Sequence, residues 1–311
     1  MKTPITATAF APATVGNIGC GFDILGMAVD APGDKVTLKK IQNRQVIIKK
    51  VNGDGGKLPL ETAKNTAGVA AREYLEKYDI DQGVEIILDK DMPMGSGLGS
   101  SAASAAATLK AIDHLFGKIA SNQELLKIGM RAELMACGSE HADNIAPSLF
   151  GGIVLVRCNQ EADIIPIHVP SKLRCVLVYP HIEIRTEDAR KILPGTVELN
   201  KAVRQWGNIA GLISGFFTED YGLISRSLKD WIVEPVRAQL IPGFDEVKNA
   251  ALNNGALGCS ISGSGPTIFA LADSTATAKI IGKKMQAAFS NNALDSSLWI
   301  SKINTDGAKI I

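Results

Sequence analysis

Aromatic residues are scarce, at 5% of 311 positions. Packing therefore rests on aliphatic residues, Ala and Gly, which suit close helix-on-sheet contact and loops that bring backbone up to a ligand. No charge of one sign dominates: 33 Lys and Arg stand against 32 Asp and Glu, a formal net charge of +1. Such a balance offers no field to nucleic acid or to an anionic membrane, and neither partner is expected. Long apolar runs are missing as well. Gly, Pro or charge soon interrupts each one, so no membrane span is expected. The first 16 residues lack a basic stretch followed by an apolar one, and no signal peptide is read. The five cysteines, Cys20, Cys137, Cys158, Cys175 and Cys259, are scattered and form no CxxC pair. Thiol metal or redox chemistry is not expected, and reduced thiols in the cytoplasm are the simplest reading. No internal repeat or low-complexity tract is evident.

What is present is ample core material, with 46% of residues apolar. The length exceeds one ordinary hydrophobic core, so two packed lobes are expected. Strand-like runs and helical runs follow one another without strict alternation. That order points to α+β lobes, not to a doubly wound parallel sheet. The β-rich runs 35–41 and 45–51 flank a polar turn and read as a hairpin. Ser121 and Glu124 form a capping-box signature, opening a helix that Gly138 closes. Polar residues 159–161 separate two strand-rich regions, which sets the expected lobes at 1–160 and 161–311.

The most informative segment is Pro93-Met94-Gly95-Ser96-Gly97-Leu98-Gly99-Ser100-Ser101. Glycine at alternate positions admits positive φ and leaves backbone N–H groups free to converge on an anion. Strong helix formers follow at once, so a helix N-terminus, with its open N–H groups and positive dipole end, faces the same point. A flexible Gly/Ser linker is the bland alternative, but linkers are flanked by polar sequence and this one lies between a strand and an Ala-rich helix. A Walker A loop would need Gly-Lys-Ser/Thr, which is absent. A dinucleotide fingerprint would need Gly at Ser100.

This segment resembles the phosphate motif of the GHMP kinases. The N-terminal run from Ala11-Pro12-Ala13-Thr14 through Asn17 to Asp23 and Gly26 resembles the family's first motif. The run Gly255-Ala256-Leu257-Gly258-Cys259-Ser260-Ile261-Ser262-Gly263-Ser264-Gly265-Pro266-Thr267 resembles its third. The resemblance implies a two-lobe kinase, with an N-terminal ATP-binding lobe similar to ribosomal protein S5 domain 2 and a ferredoxin-like C-terminal lobe. It implies ATP held by Pro93, Gly95, Ser96, Gly97, Leu98, Gly99, Ser100 and Ser101. It also implies Mg²⁺ held by Ser100 and Glu133; a Ser and a Glu suffice, since Mg²⁺ commonly takes one or two protein ligands. An isolated Glu133 would otherwise read as a solvated helix residue.

Within the family, His141-Ala142-Asp143-Asn144 resembles the homoserine kinases most closely. Alone, this cluster reads as a polar loop between a helix end and Pro147. Thr186 and Arg190, four apart, share a helix face. Surface arginines are usually solvated, but guanidinium groups also grip carboxylates with paired hydrogen bonds. The resemblance implies that Arg190 and Arg237, assisted by Thr186 and near Gly263, hold the carboxylate of an amino-acid substrate. Asn17, Asp23, His141 and Asp143 would hold its amino and hydroxyl ends. Asp23 or Asp143 is a candidate base. The alternative is hydroxyl activation by the phosphate itself, with Asn17 or Asn144 orienting the oxygen. The expected reaction is phosphorylation of the L-homoserine hydroxyl by ATP. Another GHMP kinase, acting on a sugar or mevalonate, and a non-catalytic nucleotide sensor stand as rivals. The resemblance also points to a homodimer.

Overall fold

A computed structural model describes residues 4–138 and 141–311; Ser139 and Glu140, beside the His-Ala-Asp-Asn segment, and residues 1–3 lie outside the described residues. The first sheet starts with β1 (Thr6–Gly16) and β2 (Leu25–Ile41), antiparallel partners from Thr6 against Lys39 to Gly16 against Gly26. Next come β3 (Val46–Asn52), α1 (Thr66–Lys77) and β4 (Gly83–Asp89). The expected hairpin does not form. Helix α1 carries the chain back across the sheet, so β4 slots between β2 and β3, antiparallel to the first and parallel to the second. A parallel pair requires such a crossover.

Helices α2 (Ser100–Leu115) and α4 (Ala142–Phe150) join α1 on this sheet, and α3 (Asn122–Cys137) packs against these three helices. The first turns of α2 bury mostly Ala, at Ala102, Ala103, Ala105, Ala106 and Ala107, which lets its axis lie close to β1 and β2. Helix α3 begins at the expected capping box: Ser121 Oγ accepts from Glu124 N–H, and the Glu124 carboxylate accepts from Ser121 N–H. Gly138, with φ +70°, closes it. Helix α4 replaces the polar loop read from its sequence. Pro147 removes one internal hydrogen bond, but Ile145, Ala146 and Leu149 are buried, and tertiary burial outweighs that loss.

After β5 (Ile153–Cys158) and β6 (Asp163–Ile167), β7 (Arg174–Pro180) opens a second sheet. Then follow α5 (Thr186–Lys191), α6 (Leu199–Thr218), α7 (Tyr221–Ser227), α8 (Glu234–Arg237) and α9 (Phe244–Leu252). The chain continues with β8 (Gly258–Ile261), β9 (Ile268–Ala272), α10 (Thr275–Asn291) and β10 (Ser296–Lys302). The second sheet is antiparallel throughout, in the order β10-β7-β9-β8. Successive strand residues point to opposite faces. Val176 and Val178 join a core with Val247, Ile281, Met285 and Phe289 of α9 and α10. Cys175 and Leu177 join the larger core that the first sheet shares with Leu212 and Phe216 of α6.

Residue 160, where the sequence divides the expected lobes, lies in the turn between paired strands β5 and β6. The last strand, β11 (Lys309–Ile310), returns to pair with β1. By sheet membership the first unit thus runs to Ile167 and regains the chain's last strand. Among the described residues, no helix is long and apolar enough to cross a membrane.

Candidate active site

The glycine loop leaves the end of β4 and reaches α2 with Gly95, Gly97 and Gly99 at φ +60°, +76° and +65°. Gly99 is the N-cap of α2 and offers no side chain to close the helix end. A Cβ on Gly97 would collide with the carbonyl of Ser262 and stand 2.8 Å from that of Gly265. The loop is thus pressed against the turn of the third motif. Ser262 Oγ donates to Gly97 O at 2.7 Å, and Thr267 N–H donates to Ser96 O at 3.1 Å. From the first motif, Thr14 N–H donates to Leu98 O at 3.0 Å. Ser96 Oγ is buried with no hydrogen-bond partner among the described residues, and it lines the cleft. An open helix end, glycines that leave backbone bare and an unpartnered hydroxyl together fit the phosphates of a nucleotide.

The cleft is lined by Asn17, Asp23, Gly95, Ser96, Gly97, Gly99, Ser100, Ser101, Glu133, His141, Asp143, Asn144, Thr186, Arg190, Arg237 and Gly263, all anticipated from the sequence, and by Ser264. Two expected members are not on its lining. The Leu98 side chain is fully buried in the core, because the residue between two outward-facing glycines turns inward. Pro93 stands before the bend that carries the loop into the cleft.

Glu133 lies on α3, and Ser101 Oγ donates to its Oε1 at 2.6 Å. Ser100, the hydroxyl expected to share a cation with Glu133, lines the same cleft. One residue is about 100° of helix rotation, and it turns Ser101 toward α3 while the Ser100 carbonyl accepts from Lys90. Burial raises the Glu133 carboxyl to about 7, against the opposing pull of Ser101 and the Lys90 charge. A hydroxyl and a carboxylate beside a phosphate cradle are the hard oxygen donors that Mg²⁺ takes alongside phosphate oxygens and water. The described residues contain no cluster of three or more His, Cys, Asp or Glu able to hold a metal alone.

Across the cleft, Arg190 on α5 grips Asp23 with two parallel bonds, Nη1 to Oδ2 at 3.0 Å and Nη2 to Oδ1 at 2.9 Å. Arg237, 2% exposed, donates from Nε to Ala189 O and from Nη1 to Gly263 O, each at 3.0 Å. Both guanidinium groups lie over the Phe22 ring, 5.4 and 5.1 Å from its centroid. Hydrogen bonding to Asp23 raises the affinity of Arg190 for its proton. Burial first, and then the Arg190 charge, lowers that of Arg237. Asn17 is a brace: Nδ2 donates to Gly263 O at 2.9 Å, and Oδ1 accepts from Asp23 N–H at 3.1 Å. Asn144 Oδ1 accepts from Thr14 Oγ1 at 2.8 Å. Thr186 Oγ1 lies 3.3 Å from Ser264 Oγ. Asp143, 4% exposed at the start of α4, has its carboxyl raised to about 7, by burial and then by the Asp23 charge.

Sequence reasoning missed the pair beneath the loop. Lys90 and Asp34 form a buried ion pair, and Lys90 also donates to Ser100 O and Ser104 Oγ, each at 2.8 Å. Asp34 accepts from Asp91 N–H and Met92 N–H as well. A lysine flanked by Asp89 and Asp91 carries the composition of a solvated turn, so composition gives no warning. Phe22 beneath the two guanidinium groups and Thr14 against Asn144 also hold the site, and no local sequence signal marks either contact.

Residues 64–152 match the family model described as the GHMP kinases N terminal domain, and residues 212–291 match that of the GHMP kinases C terminal. A homoserine kinase of Chlorobium phaeovibrioides is 49% identical, with 97% of this chain and 98% of that protein covered. The crystal structure of homoserine kinase from Cytophaga hutchinsonii superposes with a TM-score of 0.98 at 49% identity, covering 100% of this chain and 99% of that one. L. major mevalonate kinase shares the fold alone, with a TM-score of 0.74 at 15% identity over 98% of this chain and 99% of that one. The three anticipated motifs meet in one cleft and the similarity runs the full length: this chain belongs to the GHMP kinase family, on the branch of the homoserine kinases.

Proposed function

We propose that the chain is an ATP-dependent homoserine kinase, which phosphorylates the side-chain hydroxyl of L-homoserine to O-phospho-L-homoserine on the route to threonine. One observation carries the reading: the open N-terminus of α2 and the Arg190–Arg237 pair line the same cleft. A triphosphate and an amino-acid carboxylate are the anions those two features suit. The relatives that match over full length carry the name homoserine kinase.

In the reaction the substrate hydroxyl oxygen bonds to the γ-phosphorus, the bond from that phosphorus to the bridging oxygen breaks, and ADP leaves with the electron pair. Positioning and charge stabilisation supply most of the catalysis. The N–H groups of the glycine loop and of the first turn of α2 stabilise the phosphate oxygens. Glu133 and Ser100, with Ser101 hydrogen-bonded to Glu133, would hold Mg²⁺, which supplies charge neutralisation to the phosphates when bound. Arg237 and Arg190 orient the carboxylate, with Thr186 beside them.

The hydroxyl proton goes to Asp143 or to the phosphate itself. Asp23 is unsuited while Arg190 holds it; Asp143, with its raised carboxyl, is the better acceptor among the carboxylates. Replacing Asp143 by Asn separates the two routes. A loss of about three orders of magnitude in kcat with homoserine binding kept points to Asp143. A loss below about tenfold points to the phosphate.

The reading is tested by ADP formation with L-homoserine against L-threonine, L-serine, mevalonate and galactose. Preference for any of the last four overturns it. A homodimer and a cytoplasmic setting belong to the same proposal. The exposed apolar stripe Leu199, Val203, Trp206 and Phe217 on α6 supports the first, and the free thiols of Cys20, Cys158, Cys175 and Cys259 support the second.

A further inference from the structure

Arg190 is poised as half of a carboxylate clamp, yet its fork is already filled. The two parallel bonds it makes to Asp23 are those an incoming carboxylate needs. Arg237 stands beside it over the same Phe22 ring, with Nε and Nη1 committed to backbone carbonyls. The clamp is therefore closed by the protein's own acid. Asp23 is held there by more than the ion pair: it sits at φ +62°, a left-handed conformation uncommon outside glycine, and its N–H is tied to Asn17. His141 Nδ1 lies 3.7 Å from Asp23 Oδ2, and the buried carboxyl of Asp143 feels the Asp23 charge.

We propose that Asp23 sets substrate specificity by occupying Arg190 until a zwitterion replaces both halves of the pair at once, the substrate carboxylate taking Arg190 and the substrate ammonium taking Asp23. The inference rests on the homoserine-kinase reading above and explains how that cleft turns away other small acids. A zwitterion breaks one ion pair and makes two. A hydroxy acid without an ammonium makes one and breaks one, and it leaves Asp23 stripped of its cation with Asp143 close by. A carboxylate left without its cation in a partly desolvated site is costly. An amino alcohol without a carboxylate draws Asp23 away and leaves Arg190 uncompensated next to Arg237. Discrimination comes from these penalties as much as from attraction. The two arginines alone would accept a plain hydroxy acid, which is the substrate chemistry of a mevalonate-type kinase. With Asp23 in the fork they do not.

The test is calorimetric binding of L-homoserine and of 4-hydroxybutanoate, which lacks only the ammonium, to the full chain and to its Asp23→Asn variant. The substitution should weaken L-homoserine about tenfold and tighten 4-hydroxybutanoate about fivefold, because Arg190 is released. Opposite signs for the two ligands are the signature. If 4-hydroxybutanoate binding is unchanged or weaker in a folded Asp23→Asn chain, Asp23 does not compete for Arg190 and the proposal fails. A second arm needs no substitution: 4-hydroxybutanoate is titrated into the unaltered chain with and without saturating methylammonium. The amine should tighten the acid severalfold by relieving the stranded Asp23, and an affinity independent of methylammonium overturns the exchange. Failure of the underlying reading shows up separately, as no ADP formed from L-homoserine by the unaltered chain.

Discussion

Asp143 is buried at the start of α4 beside a second carboxylate, and both circumstances favour its protonated form. Its carboxyl stands near 7 in the folded chain against an ordinary value of 3.8, so between those limits the folded state keeps a proton that the unfolded state releases. Its contribution is fully present below about pH 4 and is lost as pH rises through about 7. A shift of that size corresponds to about 4 kcal/mol. In the absence of ligands, thermal stability should decline from pH 5 to pH 8. Asp143→Asn should flatten the decline and melt above the unaltered chain at pH 8, while Glu133, raised by burial in the same direction, preserves part of the slope. Equal destabilisation by Asp143→Asn at both pH values would show that its carboxyl is not raised.

At the scale of elements, the phosphate cradle depends on a joint between β2, β4 and α2. Lys90, just past β4, spends its ammonium on Asp34 of β2 and on the Ser100 carbonyl and Ser104 hydroxyl in the first turn of α2. Lys90→Met leaves Asp34 buried without its cation, a loss of about 3–5 kcal/mol. Adding Asp34→Asn should return part of that loss, so the double variant melts above Lys90→Met alone. The KM for ATP should stay raised in both, because the first turn of α2 has lost its strut. A double variant no more stable than the single one would show that the ion pair is not what holds the joint.

The sequence announced the cradle but not the strut, for a physical reason. Loop glycines, a helix start and the Ser121–Glu124 capping box are local chemistry, written in consecutive residues. The Lys90–Asp34 pair spans 56 positions and the Arg190–Asp23 pair 167, and no local pattern encodes either. The same limit explains two misread elements. Residues 35–41 and 45–51 have the pattern of a hairpin, and only the long-range pairing of β4 with both strands removes it. The segment up to Pro147 looks like a loop because of His141, Asp143 and Asn144, yet the burial of Ile145, Ala146 and Leu149 makes 142–150 a helix.

At the scale of the whole molecule, two sheets suggest two units that melt separately, and chains of this length often do. Three features join them here. The second sheet is buried on both faces, and Cys175, Leu177, Phe269 and Leu271 belong to the same core as β1, β2 and α2. The glycine loop is hydrogen-bonded to the third motif through Ser262 and Thr267, and Gly263 N–H donates to Gly16 O. The chain crosses back at its end: Asn304 N–H donates to Ala28 O, Val29 bridges Ile303, and β11 completes the edge of β1. Neither sheet can open without exposing part of the other's core. Unfolding should therefore be one cooperative transition despite the length. The three tryptophans provide the probe, because Trp206, Trp231 and Trp299 all lie beyond the strands β1–β6 of the first sheet. Tryptophan fluorescence reports the second sheet and α6, whereas far-ultraviolet circular dichroism reports every element. The two urea transitions should share one midpoint and one slope. A fluorescence transition displaced from the dichroism transition would mean that the second sheet unfolds alone, and the shared core would not be what couples the two halves of the cleft.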